Sequence, residues 1–166
     1  MSADEALLPI ELPLSSAGAP LPHVFADEGR LLIAYIVNVL EPSFDGNNPR
    51  SVSPKSNGQS VAIITADPYV ALQFGPPNDE ALSGHRLYGL GLQPYSAFEV
   101  VNSSWIASLE KASRVHSRHM PELFSGDRHF ILTFHDSTLE FIARDFSVSL
   151  REGAVLAALV ETVVSK

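Results

Sequence analysis

Cysteine is absent from the 166 residues of the sequence. This absence excludes disulfide bonds, thiolate nucleophiles and cysteine-type zinc sites, and it fits a reducing compartment. Charged residues are also few, at 18%, and acidic residues outnumber basic ones, which gives a formal net charge of −8. An acidic surface repels phosphate backbones and anionic membranes. Neither nucleic acid nor a membrane is therefore expected as a partner, whereas a protein or a small molecule is.

Long apolar runs are missing as well. The longest, residues 31–40, contains Asn38 and has about half the length of a membrane-spanning helix. The first residues, MSADEALLPIELPL, begin with acidic side chains and hold no continuous apolar segment, so no signal peptide is expected. These features predict a cytoplasmic protein. The hydrophobic fraction of 45% suits a globular core, and the length fits one domain spanning residues 1–166.

The clearest structural pattern is RHFILTFHDSTLEFIAR, residues 128–144, which predicts a β-hairpin. With Asp136 and Ser137 as the loop, Phe134 pairs with Leu139. Side chains alternate across a strand, so one face is apolar and the other mostly polar. The apolar face holds Phe130, Leu132, Phe134, Leu139, Phe141 and Ala143; the other holds His129, Ile131, Thr133, His135, Thr138, Glu140, Ile142 and Arg144. We interpret this pattern as a layer packed on one side, with its polar face toward solvent.

Further strands are predicted from short runs of apolar and β-branched residues. Residues 30–40 suit a central strand buried on both faces, with a buried helix as the alternative. Residues 60–65 and 69–74 predict a second hairpin around a turn that contains Pro68. Two more strands are predicted at 95–101 and 146–150. Residues 1–22 contain four prolines and predict a partly irregular segment with at most a short edge strand.

Two helices complete the predicted fold. Residues 104–116 carry apolar side chains at helical spacing behind a capping Asn102 or Ser103, and residues 152–164 show the same spacing. Residues 41–58 are rich in Pro, Gly, Asn and Ser and predict a long mobile loop. The predicted fold class is α+β: a largely antiparallel sheet of about five to seven strands, on which the central and the C-terminal helix pack.

Candidate functional residues are the polar and aromatic side chains of the hairpin and its neighbours. His129 and His135 share one face of a strand, and Glu140 lies diagonally beside His135 in the predicted register. A histidine beside a carboxylate can act as a general base. The glycine-rich connection 84–91 and the strand 95–101 supply further groups. The candidate site comprises His85, Tyr88, Glu99, His129, His135, Asp136 and Glu140.

A metal centre is the alternative to this site. His116 and His119 lie three residues apart at the end of the predicted helix, so they can present two nitrogens to one ion. No HExxH pattern accompanies them. We expect no metal or other cofactor. Under the alternative, zinc or another divalent metal is bound by His116, His119 and His135, with Glu140 or Glu99 as the base.

Other catalytic signatures are missing from the sequence. No Gly-x-Ser-x-Gly motif is present, so a serine hydrolase is not predicted. The glycines at 84, 89 and 91 are followed by no Gly-Lys-Ser/Thr and so form no phosphate loop. His135-Asp136 matches the HD dipeptide of metal-dependent phosphohydrolases, but in those enzymes the dipeptide lies on helices, whereas here it closes a hairpin.

Four phrases lie between residues 74 and 143: FGPPNDEALSGHRLYGLGL, YSAFEVVNSSWI, RVHSRH and HFILTFHDSTLE. Together they resemble a family of small bacterial proteins of uncharacterised function. The resemblance covers a little under half of the chain and implies no activity, cofactor or catalytic residue.

These patterns predict a non-enzymatic cytoplasmic binding or interaction protein. It would use the polar face of the 128–144 hairpin together with the 84–91 connection. The alternative is a metal-assisted hydrolase that uses a His/Glu cluster.

Overall fold

The computed structural model describes residues 4–39 and 51–165, which form nine strands, two α-helices and three short 3-10 turns. The strands are β1 (Ala6–Pro9), β2 (His23–Ala26), β3 (Leu31–Ile36), β4 (Gln59–Ala66), β5 (Tyr69–Gly75), β6 (Ala97–Val101), β7 (Arg128–Thr133), β8 (Thr138–Ala143) and β9 (Ser147–Gly153). The helices are α1 (Ser104–Ser113) and α2 (Val155–Val164), and the turns are Leu82–Gly84, Tyr88–Leu90 and Pro121–Phe124. None of the helices in the described residues is long and apolar enough to cross a membrane.

The strands pair antiparallel in two sheets, ordered β1-β6-β7-β8-β5 and β2-β3-β4-β9. The predicted α+β class with antiparallel pairing is confirmed, but nine strands form two sheets where one sheet of about five to seven strands was predicted. Between the layers lies an aromatic core, in which Phe130, Phe134 and Phe141 of the first sheet meet Tyr35 of the second. The rings of Tyr35 and Phe134 are 5.5 Å apart. The apolar face predicted for the hairpin is therefore the face that joins the two sheets.

The second sheet is buried on both sides at its centre. All six residues of β3 are buried, which confirms the predicted central strand. The outer face of β3 and β4 packs against Val155, Ala158 and Leu159 of α2. The predicted C-terminal helix is also confirmed, but it begins three residues later than expected because residues 151–153 continue β9.

The predicted hairpin of residues 60–65 and 69–74 is wrong, although both segments are strands. β4 pairs with β3 and β9, whereas β5 pairs with β8 of the other sheet. The chain therefore changes sheets at residues 67–68. A turn sequence fixes a change of direction but not the pairing partner. The two strands also differ in burial, since β4 is mostly buried and β5 is largely half-exposed or exposed.

Helix α1 follows β6 after two residues and lies on the outer side of the first sheet. Ser103 is its N-cap, because the Oγ accepts a hydrogen bond of 3.2 Å from the Ile106 amide. The helix ends at Ser113, three residues earlier than predicted. His116 therefore lies beyond the helix, and Pro121 begins a 3-10 turn instead of ending the helix.

Two irregular segments complete the description. β1 is a short strand at an edge of the first sheet, as the prolines predicted. Of the predicted mobile loop, residues 41–50 lie outside the described residues. Residues 51–58 contact α2, since Val52 packs against its buried face and the Pro54 carbonyl accepts a 3.1 Å hydrogen bond from the Leu156 amide.

Candidate functional site

The hairpin of β7 and β8 has the predicted faces in a different register. Its loop residues are His135 and Asp136, closed by a 2.8 Å hydrogen bond from the Phe134 amide to the Ser137 carbonyl. Ile131 consequently pairs with Glu140. Moving a two-residue loop by one position shifts the register by two and leaves every side chain on its face. The shift brings Glu140 beside His129 instead of His135.

The polar face of this hairpin is buried, which corrects the prediction that it faces solvent. His129 is fully buried, and Thr133, Thr138 and Glu140 are each at most 5% exposed. The connection between β5 and β6 lies over the face, with Leu82, Leu87 and Leu92 packed against Ile131 and its neighbours on β6. Helix α1 covers the remainder, where the Trp105 ring meets the His129 ring edge-on at 5.2 Å.

Glu140 is the centre of a buried hydrogen-bonded network, which we call the Glu140 network. Its carboxylate accepts hydrogen bonds from Nε2 of His129 at 2.8 Å, Nη2 of Arg86 at 3.0 Å and Nε2 of His85 at 3.2 Å. Burial acts to raise the pKa of Glu140. The hydrogen bond from His129 and the positive charge of the Arg86 guanidinium outweigh burial and hold that pKa below its ordinary value.

Ser103 extends the network to the start of α1. Its Oγ lies 2.8 Å from Nδ1 of His129. When the His129 ring is neutral and its proton lies on Nε2 toward the Glu140 carboxylate, Nδ1 accepts and the Ser103 hydroxyl donates. A serine, a histidine and a glutamate are thus connected in the order that nucleophilic catalysis uses.

Glu5 joins the edge strand to this network from outside. Its carboxylate accepts hydrogen bonds from the Ser104 amide at 2.7 Å and from Nη1 of Arg86 at 2.9 Å. Burial acts to raise the pKa of Glu5, but these donors outweigh it and the pKa is lowered. A carboxylate at the first turn also interacts favourably with the positive end of the helix dipole.

A groove opens beside α1, bounded by the turn Pro121–Phe124 and by the adjoining ends of β6 and β7. We call it the α1 groove; its volume is about 390 Å³. Its apolar lining includes Val101, Ile106, Ala107, Pro121 and Phe124, and its polar lining includes Glu99, Ser103, Glu110, Asp127 and Arg128. Ser103, at the end of the Glu140 network, is among the residues that line this groove.

The carboxylates of the α1 groove differ in their partners. Glu99 binds Arg128 at 2.7 Å, and Glu110 binds Arg114 at 2.8 Å. Asp127 is only 6% exposed at its side chain, yet its ion pair with Nε of Arg144 spans 3.8 Å, which is longer than a hydrogen bond. Burial raises the pKa of Asp127. Its carboxylate is the group in the groove that has most to gain from a bound cation.

A separate polar cluster occupies the tip of the hairpin. Oδ2 of Asp79 lies 2.9 Å from Nδ1 of His135 and accepts a 2.6 Å hydrogen bond from the Tyr95 hydroxyl. The hydrogen bond to Asp79 and its negative charge raise the pKa of His135. The same carboxylate, through its hydrogen bond with the Tyr95 hydroxyl, raises the pKa of Tyr95 to about 12. Oδ1 of Asp79 is buried and has no hydrogen-bond partner among the described residues.

The candidate residues predicted from the sequence thus fall into several places. His85, His129 and Glu140 come together in the Glu140 network, and His135 and Asp136 lie at the hairpin tip. Glu99 shares the face of Phe130, opposite the histidine face, where it pairs with Arg128. Tyr88 is 47% exposed in the connection over the sheet.

The alternative metal ligands are not brought together. Nε2 of His119 binds Glu110 at 2.7 Å, His135 binds Asp79, and Nδ1 of His116 accepts from the Arg118 amide. Across residues 4–39 and 51–165, no group of three or more His, Asp or Glu side chains could hold a metal ion.

Sequence reasoning missed the contributions of Ser103, Arg86, Glu5, Asp79 and Tyr95. Ser103 was recognised as a capping residue, but its contact with His129 depends on the pairing of β6 with β7. The other four act through contacts between segments that are far apart in the chain. No local pattern of the sequence contains that information.

Comparison with known proteins adds no assignment. No protein-family model matches the chain, and neither the curated proteins nor the solved structures give a significant match. The resemblance of residues 74–143 to small bacterial proteins stays a prediction.

Proposed function

We propose that this chain is a cytoplasmic binding protein whose ligand occupies the α1 groove. The observation that carries the proposal is the groove itself. Its volume of about 390 Å³ falls in the range of small-molecule sites, and its lining mixes apolar and polar residues in nearly equal number. A second cavity, lined by Tyr35 and Phe134 among other residues, has about 50 Å³ and room for a few water molecules at most.

The proposed binding surface is the α1 groove and no longer the polar face of the hairpin, which the sequence had suggested. The polar face of the hairpin is buried under the 84–91 connection, and His85 and Arg86 of that connection bind Glu140. Those side chains are already engaged within the protein. The metal-assisted alternative loses its support for a similar reason, because His116, His119 and His135 make separate contacts.

The ligand that suits the groove has an apolar body and a cationic group. Ile106 and Phe124 supply apolar surface, while Asp127 is a buried carboxylate whose ion pair with Arg144 is longer than a hydrogen bond. An ammonium group placed in the groove would give Asp127 a charge-assisted hydrogen bond. An anionic ligand would be repelled by the Asp127 carboxylate, which makes only a 3.8 Å ion pair with Arg144.

Three matched fragments test this proposal: hexylammonium, hexanol and hexanoate, each titrated into ¹⁵N-labelled protein. We expect hexylammonium to shift the amide resonances of Ile106, Ala107 and Phe124 at lower concentration than hexanol, and hexanoate to have the least effect. The Asp127→Asn variant should remove the preference for the amine over the alcohol. Asp136→Asn, at the opposite end of the hairpin, is the control and should keep it.

Two results would contradict the proposal. One is an equal response to all three fragments, which would mean that the groove does not select charge. The other is a set of shifts confined to another surface, which would mean that the α1 groove is not the binding site.

A further inference from the structure

We propose that Ser103 is an activated nucleophile that takes the acyl group from carboxylic esters bound in the α1 groove, with His129 as its base and Glu140 as the positioning residue. The inference rests on the proposed function, because the ester must enter the same groove. It goes beyond that function because binding would be followed by a covalent step.

The backbone presents Ser103 at an abrupt change from strand to helix. β6 ends at Val101 and α1 begins at Ser104, so only two residues make the turn. Asn102 adopts a left-handed conformation with a φ of 54°, which asparagine adopts more readily than most other non-glycine residues. Ser103 contacts His129 through its Oγ and is among the residues that line the groove.

The hydrogen-bond directions favour proton removal from Ser103. The Glu140 carboxylate holds the proton of His129 on Nε2, since a carboxylate can only accept. Nδ1 is then free to receive the proton of the Ser103 hydroxyl, 2.8 Å away. Nothing in helix capping requires this relay, because a cap uses the oxygen of serine only as an acceptor of an amide N–H.

Under this proposal, one amide of the first turn of α1 is assigned to the charge that develops in an acyl transfer. The first N–H groups of a helix have no partner within the helix. Glu5 accepts from the amide of Ser104, and Ser103 Oγ accepts from the amide of Ile106. The Trp105 amide, which lies between them in the sequence, is the first-turn donor that we assign to the oxyanion as part of this proposal.

The reaction is balanced with water as the second substrate. Ser103 Oγ forms a bond to the ester carbonyl carbon while its proton moves to Nδ1 of His129. The bond from that carbon to the alkoxy oxygen breaks, and the alcohol leaves with the proton from His129. Water then attacks the acyl-serine with the same base, releasing the carboxylic acid and restoring the Ser103 hydroxyl.

A fluorophosphonate probe tests the nucleophile directly, because it forms an oxygen–phosphorus bond with an activated serine and releases fluoride. We expect one equivalent to attach to wild-type protein at Ser103, as located by peptide mass spectrometry, and none to the Ser103→Ala variant. Ser113→Ala is the matched control on the same helix. The Ser113 hydroxyl donates to the Leu109 carbonyl and takes no part in the network, so this variant should be labelled like the wild type.

Glu140→Gln tests the positioning role. The substitution leaves the path into the groove unchanged, but an amide cannot fix the histidine proton as a carboxylate does. Without a carboxylate to keep the His129 proton on Nε2, labelling of Ser103 should slow by about 10²-fold or more. Circular dichroism must show that the variant is folded under the conditions of labelling.

The absence of cysteine allows a separate test of access. In the Ser103→Cys variant, the introduced thiol is the sole thiol available to iodoacetamide, and its alkylation in the folded protein reports whether the groove reaches this position. Rapid alkylation without phosphonylation of the wild type would overturn the inference and leave the binding function standing. No alkylation would overturn the inference and also show that the groove does not reach Ser103, whereas the fragment titration tests the binding function independently.

Discussion

Glu140 of β8 and His129 of β7 are diagonal neighbours whose buried side chains meet through a 2.8 Å hydrogen bond. Each stands opposite an isoleucine, since Glu140 pairs with Ile131 and His129 with Ile142. The outer face of the first sheet is therefore a closed interior that mixes apolar packing with a charged network. A buried carboxylate is tolerated there because three donors bind it and the Arg86 guanidinium neutralises its charge.

The first prediction concerns the charge of Glu140. Glu140→Gln keeps the shape of the side chain but leaves His129, His85 and Arg86 without their anion, so the free energy of unfolding should fall by about 3 kcal/mol. Urea denaturation followed by circular dichroism measures the change. Glu161→Gln on the exposed side of α2 is the control and should change the stability by less than about 0.5 kcal/mol. Equal effects of the two substitutions would contradict a central role for the Glu140 network.

The second prediction concerns how the difference in unfolding free energy between the wild type and Glu140→Gln depends on pH. The pKa of Glu140 is lower in the folded protein than its ordinary value of 4.5. The stabilisation from its charge is therefore complete above that value and is lost as the pH falls through the lower folded-state pKa. The gap in stability between wild type and Glu140→Gln should be constant near neutral pH and should narrow below about 4.5. A difference in stability that widens as the pH falls would contradict the prediction.

The faces of the hairpin could be predicted from the sequence, but its register could not. The alternation of Phe130, Leu132 and Phe134 with polar residues fixes which side chains share a face. His135-Asp136 and Asp136-Ser137 are both acceptable as loops, and both give the same faces. The choice between them decides which histidine lies beside Glu140. Local chemistry therefore identified the right carboxylate and assigned it the wrong partner.

The division of the strands into two sheets also could not be predicted from local sequence patterns. Asp67-Pro68 predicts a turn, but whether β4 and β5 pair depends on the longer-range competition of β3, β9 and β8 for their edges. The same limit applies to the Glu140 network, whose partners Arg86 and Ser103 come from a loop and a helix cap. Propensity and periodicity describe each element, whereas the contacts between elements arise from packing.

The third prediction concerns the hairpin tip. The hydrogen bond with Asp79 raises the pKa of His135 above its ordinary value of 6.5, so the stabilisation is complete below that value and is lost as the pH rises through the folded-state pKa. Proton NMR titration should show a lower pKa of His135 in Asp79→Asn. The exposed Asp136 lies 3.9 Å from the other ring nitrogen, so Asp136→Asn should lower the pKa less. A larger effect of Asp136→Asn would show that Asp79 is not the main partner.

The fourth prediction tests the core between the sheets through two phenylalanines on neighbouring strands. Phe141 is fully buried, with its ring 5.1 Å from Phe130 and 5.9 Å from Phe146, whereas Phe74 on the edge strand β5 is 46% exposed. Phe141→Ala leaves a cavity that neither sheet can close, so it should lower the free energy of unfolding by about 4 kcal/mol. Phe74→Ala removes a half-exposed ring and should cost about 1 kcal/mol. Because both side chains belong to the inward-facing set of the first sheet, comparable losses in urea denaturation would mean that the sheets do not pack at Phe141 as described.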